Sequence, residues 1–393
     1  MAYTAKADGA WVDKTATGGT ATANLIDAGD CNRWEANQLD AHTRLTSLEA
    51  SSGLPVVNVK SLGATGDGTT SDRTALQNAA AAVPSTGGIL FLPAGTYSTD
   101  RCIDIKSNTT VMGAGPGVSI IRGRSGLGSV ASTNGGYTLL GQASSATVNI
   151  TIRDLTVDGT YSATGITSGS SLRAISSVVD FRGITGLTFE NVEVKNGWFW
   201  HLTSWNSTNV TVRQCRVIGP GTSGTYDQLD GIHVTGVTKC HIENNFVDMG
   251  VGTDGDDGIA VHMFPSGTNC SFVTVTDNEV RGGFNGSGID LANSNGTIAG
   301  VTIQGNLVHD CNNDGIVTNW FSSFTGSTQD VSIIGNITRD CNRSIVVGQT
   351  GQTPPYKNFV ITNNLAVRAG GNPVQTSTTN AVNINITNNY TGS

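Results

Sequence analysis

The chain has 393 residues, of which 13% are charged, with 51 glycines and a formal net charge of −8. Abundant Thr, Ser, Asn and Val beside scarce Leu, Lys and Glu suit β-structure with tight turns and argue against a helix bundle. No dense Lys/Arg run offers phosphate a basic footprint, and no apolar stretch is long enough to span a membrane, so neither nucleic acid nor a bilayer core is an expected partner.

The first 52 residues stand apart. Asp27 to Glu49 reads as helix, with Leu39, Leu45 and Leu48 on an apolar edge and polar helix formers between them. The stretch Trp11 to Glu35, WVDKTATGGTATANLIDAGDCNRWE, is similar to the N-terminal arms of phage tail-fibre and appendage proteins. There a Trp-containing strand and a Thr/Ala/Asn run lead into a short helix. That resemblance implies a virion-attachment arm over residues 1–52, with phage tail or baseplate proteins as its partners. The N-terminus has no basic region followed by an apolar one, so no signal peptide is expected. Synthesis in the host cytoplasm, a place in the virion tail and action at the host cell surface follow as expectations.

Ser51, Ser52, Gly53 and Pro55 make a hinge. Beyond it the chain reads strand, Gly-rich turn and helix, the helix starting after Ser71 or Asp72 and running to Pro84. GGILFLPAGTY then reads as a strand. The turn GATGDGTT lacks the Lys-Ser/Thr of a phosphate loop, so nucleotide binding is rejected. VKSLGATGDGTTSDRTALQNAAAAV followed by GGILFLPAGTY resembles the opening segment of the pectate-lyase-like β-helix superfamily, which phage tailspikes and some polygalacturonase relatives share. The resemblance implies that residues 53–100 cap a solenoid, whose open end would otherwise expose apolar core and unpaired edges. It also implies a homotrimer, the usual assembly of such spikes.

From about residue 100 one strand phrase recurs, as in Ile242-Glu-Asn-Asn-Phe-Val247 and Val275-Thr-Asp-Asn-Glu-Val280. Its fourth position is Asn245, Asn278, Asn306, Asn336, Asn364 and Asn389 in the last six copies. Asn stacked on Asn can bond from coil to coil and tolerates a left-handed corner. A second phrase, Asp-Gly-Ile-x-Val, begins at Asp230 and Asp257 and returns in weaker form at Ser287, Asp314 and Arg343, in steps of 27, 30, 27 and 29 residues. Short apolar runs split by Gly and Asn at this period mark a solenoid, and the missing Leu pattern excludes leucine-rich repeats. The expected fold is all-β: a right-handed parallel β-helix of roughly ten coils over residues 53–393, with an N-terminal capping helix and a small N-terminal arm. Seven cysteines without a CxxC pair disfavour a disulfide framework or a cysteine zinc site. Cys311 and Cys341 fall at one place in two repeats and read as stacked free thiols.

Aligned on the second phrase, Asp230 and Asp257 stack one coil apart, with Asp314 two coils on and Asp256 beside Asp257. His233 and Asp290 point outward from the following strands, and His201 is expected over His233. Carboxylates about 5 Å apart cannot all ionise freely, which raises the pKa of at least one. Trp198, Trp200 and Tyr226 precede the acids and suit sugar stacking and core filling equally well. Three readings of the acids stand: turn residues, a calcium brace through Asp254, Asp256 and Asp257, or catalysis on a glycan. The expected cofactor set is empty, with calcium as the alternative.

Leu229-Asp230-Gly231 resembles the Asn-Thr-Asp-Gly motif of polygalacturonase-type hydrolases, and Gly255 to Val261, GDDGIAV, resembles their Gly-Asp-Asp-Cys-Ile-Ala-Ile. The resemblance implies inverting glycoside hydrolysis, with Asp256 as acid and Asp230 with Asp257 holding the water. Substrate contacts are then expected from His233, Asp290, Asp314, Trp198, Trp200 and Tyr226. No Gly-His-Gly and no Arg-Ile-Lys follow, which points away from pectin to a neutral sugar. Lyase chemistry needs a basic residue, and none falls within the motifs of Asp230 and Asp257. The expected function is a tailspike or minor tail protein that binds host cell-surface polysaccharide and depolymerises it. Its rivals are an adhesive spike without catalysis and a free polysaccharide hydrolase or lyase.

Overall fold

The computed structural model describes residues 3–5, 11–13, 53–127, 138–160, 177–220, 229–250, 255–263, 269–283, 285–294, 296–320, 326–348, 355–368, 373–376 and 381–392. The chain divides into two compact units, Met1–Val56 and Val57–Ser393. In the first, Tyr3–Ala5 pairs antiparallel with Trp11–Asp13. The helix expected over Asp27 to Glu49 lies outside the described residues.

The second unit is all-β apart from a capping segment. Val56–Asn58 leads into a 3-10 turn, Val59–Leu62, closed by Gly63 at φ 96°. The α-helix Arg73–Ala82 buries Ala75, Leu76, Ala79 and Ala80 and stops before Pro84, as the Ala-rich run and the proline require. Asp72 precedes the helix, yet its side chain does not cap it. Its carboxylate accepts instead from the amide and hydroxyl of Thr65 at 2.7 and 2.9 Å and from the amide of Ser98. One acid thereby stitches three segments of the cap. The Gly-rich stretch expected as a turn carries a strand, Asp67–Ser71, which pairs in parallel with Gly95–Thr99.

Ten strands from successive rungs then form one parallel sheet, from Ile103–Ile105 at one end to Val374–Thr376 at the other. Each rung returns through a second set of strands, such as Thr238–Glu243 pairing with Cys270–Thr276. This is a right-handed parallel β-helix. Inward positions stack like on like: Ile232, Ile259, Ile289, Ile316 and Ile345 form one column in register, each fully buried. Burial of one such side chain contributes about 1.5–3 kcal/mol, and the column repeats it on every rung.

The Asn ladder is also in place, with one correction. The Asn245 amide donates to Asn278 Oδ1 at 2.9 Å, Asn278 to Asn306, Asn306 to Asn336, Asn336 to Asn364 and Asn364 to Asn389. The left-handed residue is not the ladder Asn but the one before it: Asn244, Asp277, Gly305, Gly335, Asn363 and Asn388 all have positive φ. The corner is turned one residue early, so the ladder Asn points inward and bonds across rungs. Cys311 and Cys341 are buried free thiols, and Asn342 N–H donates to Cys311 O from the next rung.

Asn306→Ala removes the acceptor of Asn278 N–H and leaves Val275 O without its 2.9 Å donor. At about 1–3 kcal/mol per orphaned buried group, urea unfolding is expected to show a loss of about 3 kcal/mol. Asn389→Ala, on the half-buried last rung, is expected to lose much less.

Candidate functional site

The Asp-Gly-Ile phrase recurs because of its glycine. A Cβ on Gly231 would meet Val247 Cγ1 at 2.5 Å and Gly258 O at 2.6 Å. On Gly258 and Gly288 it would meet Val280 and Val308 at 2.4 and 2.1 Å. On these three rungs the corner is pressed against the carbonyl of the next rung and a valine of the returning wall, and only glycine fits. The residue before the glycine is thereby held at the outer edge, in one column with its counterparts. The strand register sets that column as Trp200, Asp230, Asp257, Ser287, Asp314 and Arg343.

The column lines a cavity of about 520 Å³, joined by Asp256, His262, Asp290 and Asn319. Asp230, Asp256 and Asp257 each bring an oxygen within 4.8 Å of the others. That is tighter than the 6.5–9.5 Å separation of acid and base typical of an inverting pair. Asp230 and Asp257 are buried, and Asp256 is half-buried. Asp230 Oδ2 lies 2.6 Å from His233 Nδ1, and its Oδ1 accepts from Asp257 N–H at 3.2 Å. His233 Nε2 reaches Thr235 Oγ1 at 2.9 Å, while its ring stacks on Trp200 at 3.6 Å. Burial, then the charge of Asp257, holds the Asp230 carboxyl well above the usual range. Burial, then the charge on His262, holds His233 well below its usual range. One proton thus sits between Asp230 and His233, and the pair carries little net charge.

Asp257 Oδ1 accepts from Ser287 N–H at 2.7 Å. Its Oδ2 lies 3.7 Å from His262 Nε2, which is 3.6 Å from Asp290 Oδ2. Burial opposes a charge on His262, but the carboxylates of Asp257 and Asp290 outweigh it and raise the imidazole from 6.5 to about 10. Burial, then the charge of Asp257, raises Asp290 from 3.8 to about 7. Asn319 donates to Asp290 Oδ2 at 3.2 Å. At the far end Arg343 grips Asp314 with two hydrogen bonds, Nη2 to Oδ2 at 2.8 Å.

Of the residues expected at the site, Asp230, Asp256, Asp257, Asp290, Asp314 and Trp200 line the cavity together. Tyr226 and Asp254 lie outside the described residues, so the calcium set Asp254, Asp256 and Asp257 is described only in its last two members. Three expectations are corrected. Trp198 is fully buried in the apolar core and does not reach the cavity. His233 is fully buried behind Asp230 and orients it rather than facing a substrate. His201 does not stack on His233, because Thr203 holds that place in the register. It accepts from Gly197 N–H at 3.0 Å, and burial lowers it to about 4. His262 and Arg343 were missed. Their signal was present in the repeats: Arg343 stands where the phrase carries Asp, and His262 follows Asp257 at an outward phase of the next strand.

Two family models match, "Rhamnogalacturonase A/epimerase, pectate lyase-like" over residues 56–197 and "Right handed beta helix region" over residues 139–328. Together they span residues 56–328, and the fold they describe, a right-handed β-helix of the pectate-lyase-like kind, is the fold of this chain. Among solved structures, an exopolygalacturonase from Thermotoga maritima superposes with a TM-score of 0.61 at 18% identity, over 81% of each chain. The ORF18 protein of Geobacillus virus E2 does so with a TM-score of 0.53 at 17% identity, over 96% of this β-helix chain and 66% of that one. Likeness at these identities is likeness of fold. Mannuronan C5-epimerase AlgE5 of Azotobacter vinelandii is 44% identical over 73 residues, which are 16% of this chain and 7% of the epimerase.

The buried imidazolium sets a pH dependence of stability. His262 holds its proton more tightly folded than unfolded, so its contribution is complete below about pH 6.5 and lost as pH rises toward 10. Asp290, raised on folding, loses stability in the same direction between about pH 4 and 7. Thermal unfolding in chelator is expected to show a midpoint that falls from pH 6.5 to 10 in the native chain. In His262→Gln that alkaline slope is expected to flatten.

Proposed function

We propose that the chain binds a host cell-surface polysaccharide and depolymerises it by glycoside hydrolysis, as the spike or minor tail protein of a phage. The observation that carries this reading is the meeting of Asp230, Asp256 and Asp257 within 4.8 Å in one cavity. Asp256, the most exposed of the three, is the proton donor to the glycosidic oxygen. Asp257 with Asp230 holds the attacking water. A water that donates to two oxygens at ordinary hydrogen-bond length spans about 4.5 Å between them, so this close pair has room for one. Attack by that water from the face opposite the leaving oxygen inverts the anomeric carbon, with acid and base closer than in the usual inverting site. His233 fixes the carboxyl of Asp230, as an orienting partner does in an acid–base site.

The charges of the cavity bear on the sugar. Arg343 is matched by Asp314, and His262 stands between Asp257 and Asp290. Both described cations of the cavity lining are thus neutralised within the protein, which favours a neutral sugar at the point of cleavage. The virion role rests on the resemblance of the first 52 residues to tail-appendage arms. A second reading, action at C5 of a uronate, is favoured by the stretch shared with the mannuronan epimerase and by the basic side chains His262 and Arg343.

With envelope polysaccharide from a bacterium that the particle adsorbs to, the native chain is expected to release reducing ends, and the first-formed anomer seen by NMR is expected to be inverted. Asp257→Asn is expected to lower release by about 10²–10⁴-fold, with the fold and glycan binding retained. Full activity in that variant removes the site. A retained anomer makes Asp257 a nucleophile, and an ultraviolet-absorbing unsaturated product moves the chain to the second reading.

A further inference from the structure

The cavity holds a second constellation, which shares only Asp257 with the hydrolytic trio. Asp257 and His262 on one rung and Asp290 on the next each offer an atom within 4.8 Å of the others, and all three side chains are buried. We propose that Asp257, His262 and Asp290 bind a transition-metal dication of the zinc class.

The distances are the first ground. His262 Nε2 is 3.7 Å from Asp257 Oδ2 and 3.6 Å from Asp290 Oδ2. Both are too long for hydrogen bonds. Two ligands of one tetrahedral zinc, each about 2.1 Å from the metal, lie about 3.4 Å apart, so the imidazole and its two carboxylates are spaced as edges of such a shell.

The second ground is an orphaned atom. Asp290 is 3% exposed and lines the cavity, yet its Oδ1 makes no hydrogen bond among the described residues. A buried carboxylate oxygen left without a donor is costly, and a metal ion supplies the missing partner. Asp290 thus meets the ion through both of its oxygens, and the two carboxylates are already oriented, as ligands in metal sites are. Ser287 N–H holds Asp257 Oδ1 at 2.7 Å, and the Asn319 amide holds Asp290 Oδ2 at 3.2 Å.

Ligand chemistry selects the ion. Calcium and magnesium take oxygen shells, whereas an imidazole with two carboxylates suits zinc and its neighbours. The neighbouring trio of Asp230, Asp256 and Asp257 shares Asp257 but offers oxygen atoms alone. Three protein ligands leave a fourth position on the cavity side. On the hydrolytic reading proposed above, and resting on it, an ion held by Asp257 withdraws the base, so zinc inhibits depolymerisation.

The test is titration of the full chain, freed of metal by chelator, with zinc chloride in a calorimeter. One ion per chain is expected, with Asp290→Asn and His262→Gln each weakening binding at least tenfold and calcium chloride at equal concentration not competing. Cobalt(II) in the native chain is expected to give visible d–d bands that zinc abolishes, a readout that needs no variant. No zinc heat and no cobalt bands, unchanged affinity in both folded variants, or displacement by calcium each overturn the site. Hydrolysis is assayed separately: absence of product from the zinc-free native chain overturns the hydrolytic reading and leaves the binding result to decide the metal site.

Discussion

Everything in this molecule depends on rungs stacking in register about 4.8 Å apart. The glycine of the Asp-Gly-Ile phrase enforces that contact, since a Cβ at Gly258 would strike Val280 at 2.4 Å and Gly288 O at 2.8 Å. In-register stacking has two results that oppose each other. Inward, it repeats Ile on Ile and builds the core. Outward, it repeats acid on acid and builds repulsion. Two bare charges one rung apart repel by about 3.5 kcal/mol at an effective dielectric of 20. Two buried Ile or Val side chains on the same rung contribute about 3–6 kcal/mol. The apolar column is therefore strong enough to hold the acid column together, with little to spare.

That narrow margin explains how the charges are arranged. No two neighbouring acids of the column are left bare. Asp230 shares a proton with His233, His262 lies between Asp257 and Asp290, and Arg343 pairs with Asp314. Ser287 interrupts the acids between Asp257 and Asp314, and its backbone N–H donates to Asp257. Each device comes from a different rung, so each costs only one substitution in an otherwise repeating pattern. The result is a set of carboxyls in different protonation states within one cavity, which is the condition for separating an acid from a base.

The fold and the acid column were legible in the sequence because both are periodic. The 27- to 30-residue steps fix which residues share a column, and the ladder Asn positions follow from the same alignment. What was not legible is whatever depends on phase within a rung rather than on the period. Trp198 and Trp200 are two residues apart near one corner, yet Trp198 turns into the core and Trp200 lines the cavity. His201 falls two register steps from the place expected for it, level with Gly231 rather than His233, since Leu202 pairs with Ile232. The left-handed corner residue was misplaced by one for the same reason. His262 meets Asp290 only because 262 and 290 lie on neighbouring outward phases of adjacent strands, a relation that no local motif states.

The outward face around the acids is itself buried: every residue of Ile232–Thr235, Ile259–Met263 and Ile289–Asn293 is inside. A β-helix wall facing water would screen its charges, and stacked carboxylates there would interact weakly. Here the same carboxylates sit where water is scarce, so each neighbour shifts the next, and burial is the largest cause of the raised Asp230 and Asp290 carboxyls. Repetition supplies the residues, but it is desolvation that turns them into a site. On the returning wall Glu279 and Asp310 flank His309 at the surface, where the two carboxylates stay exposed to water.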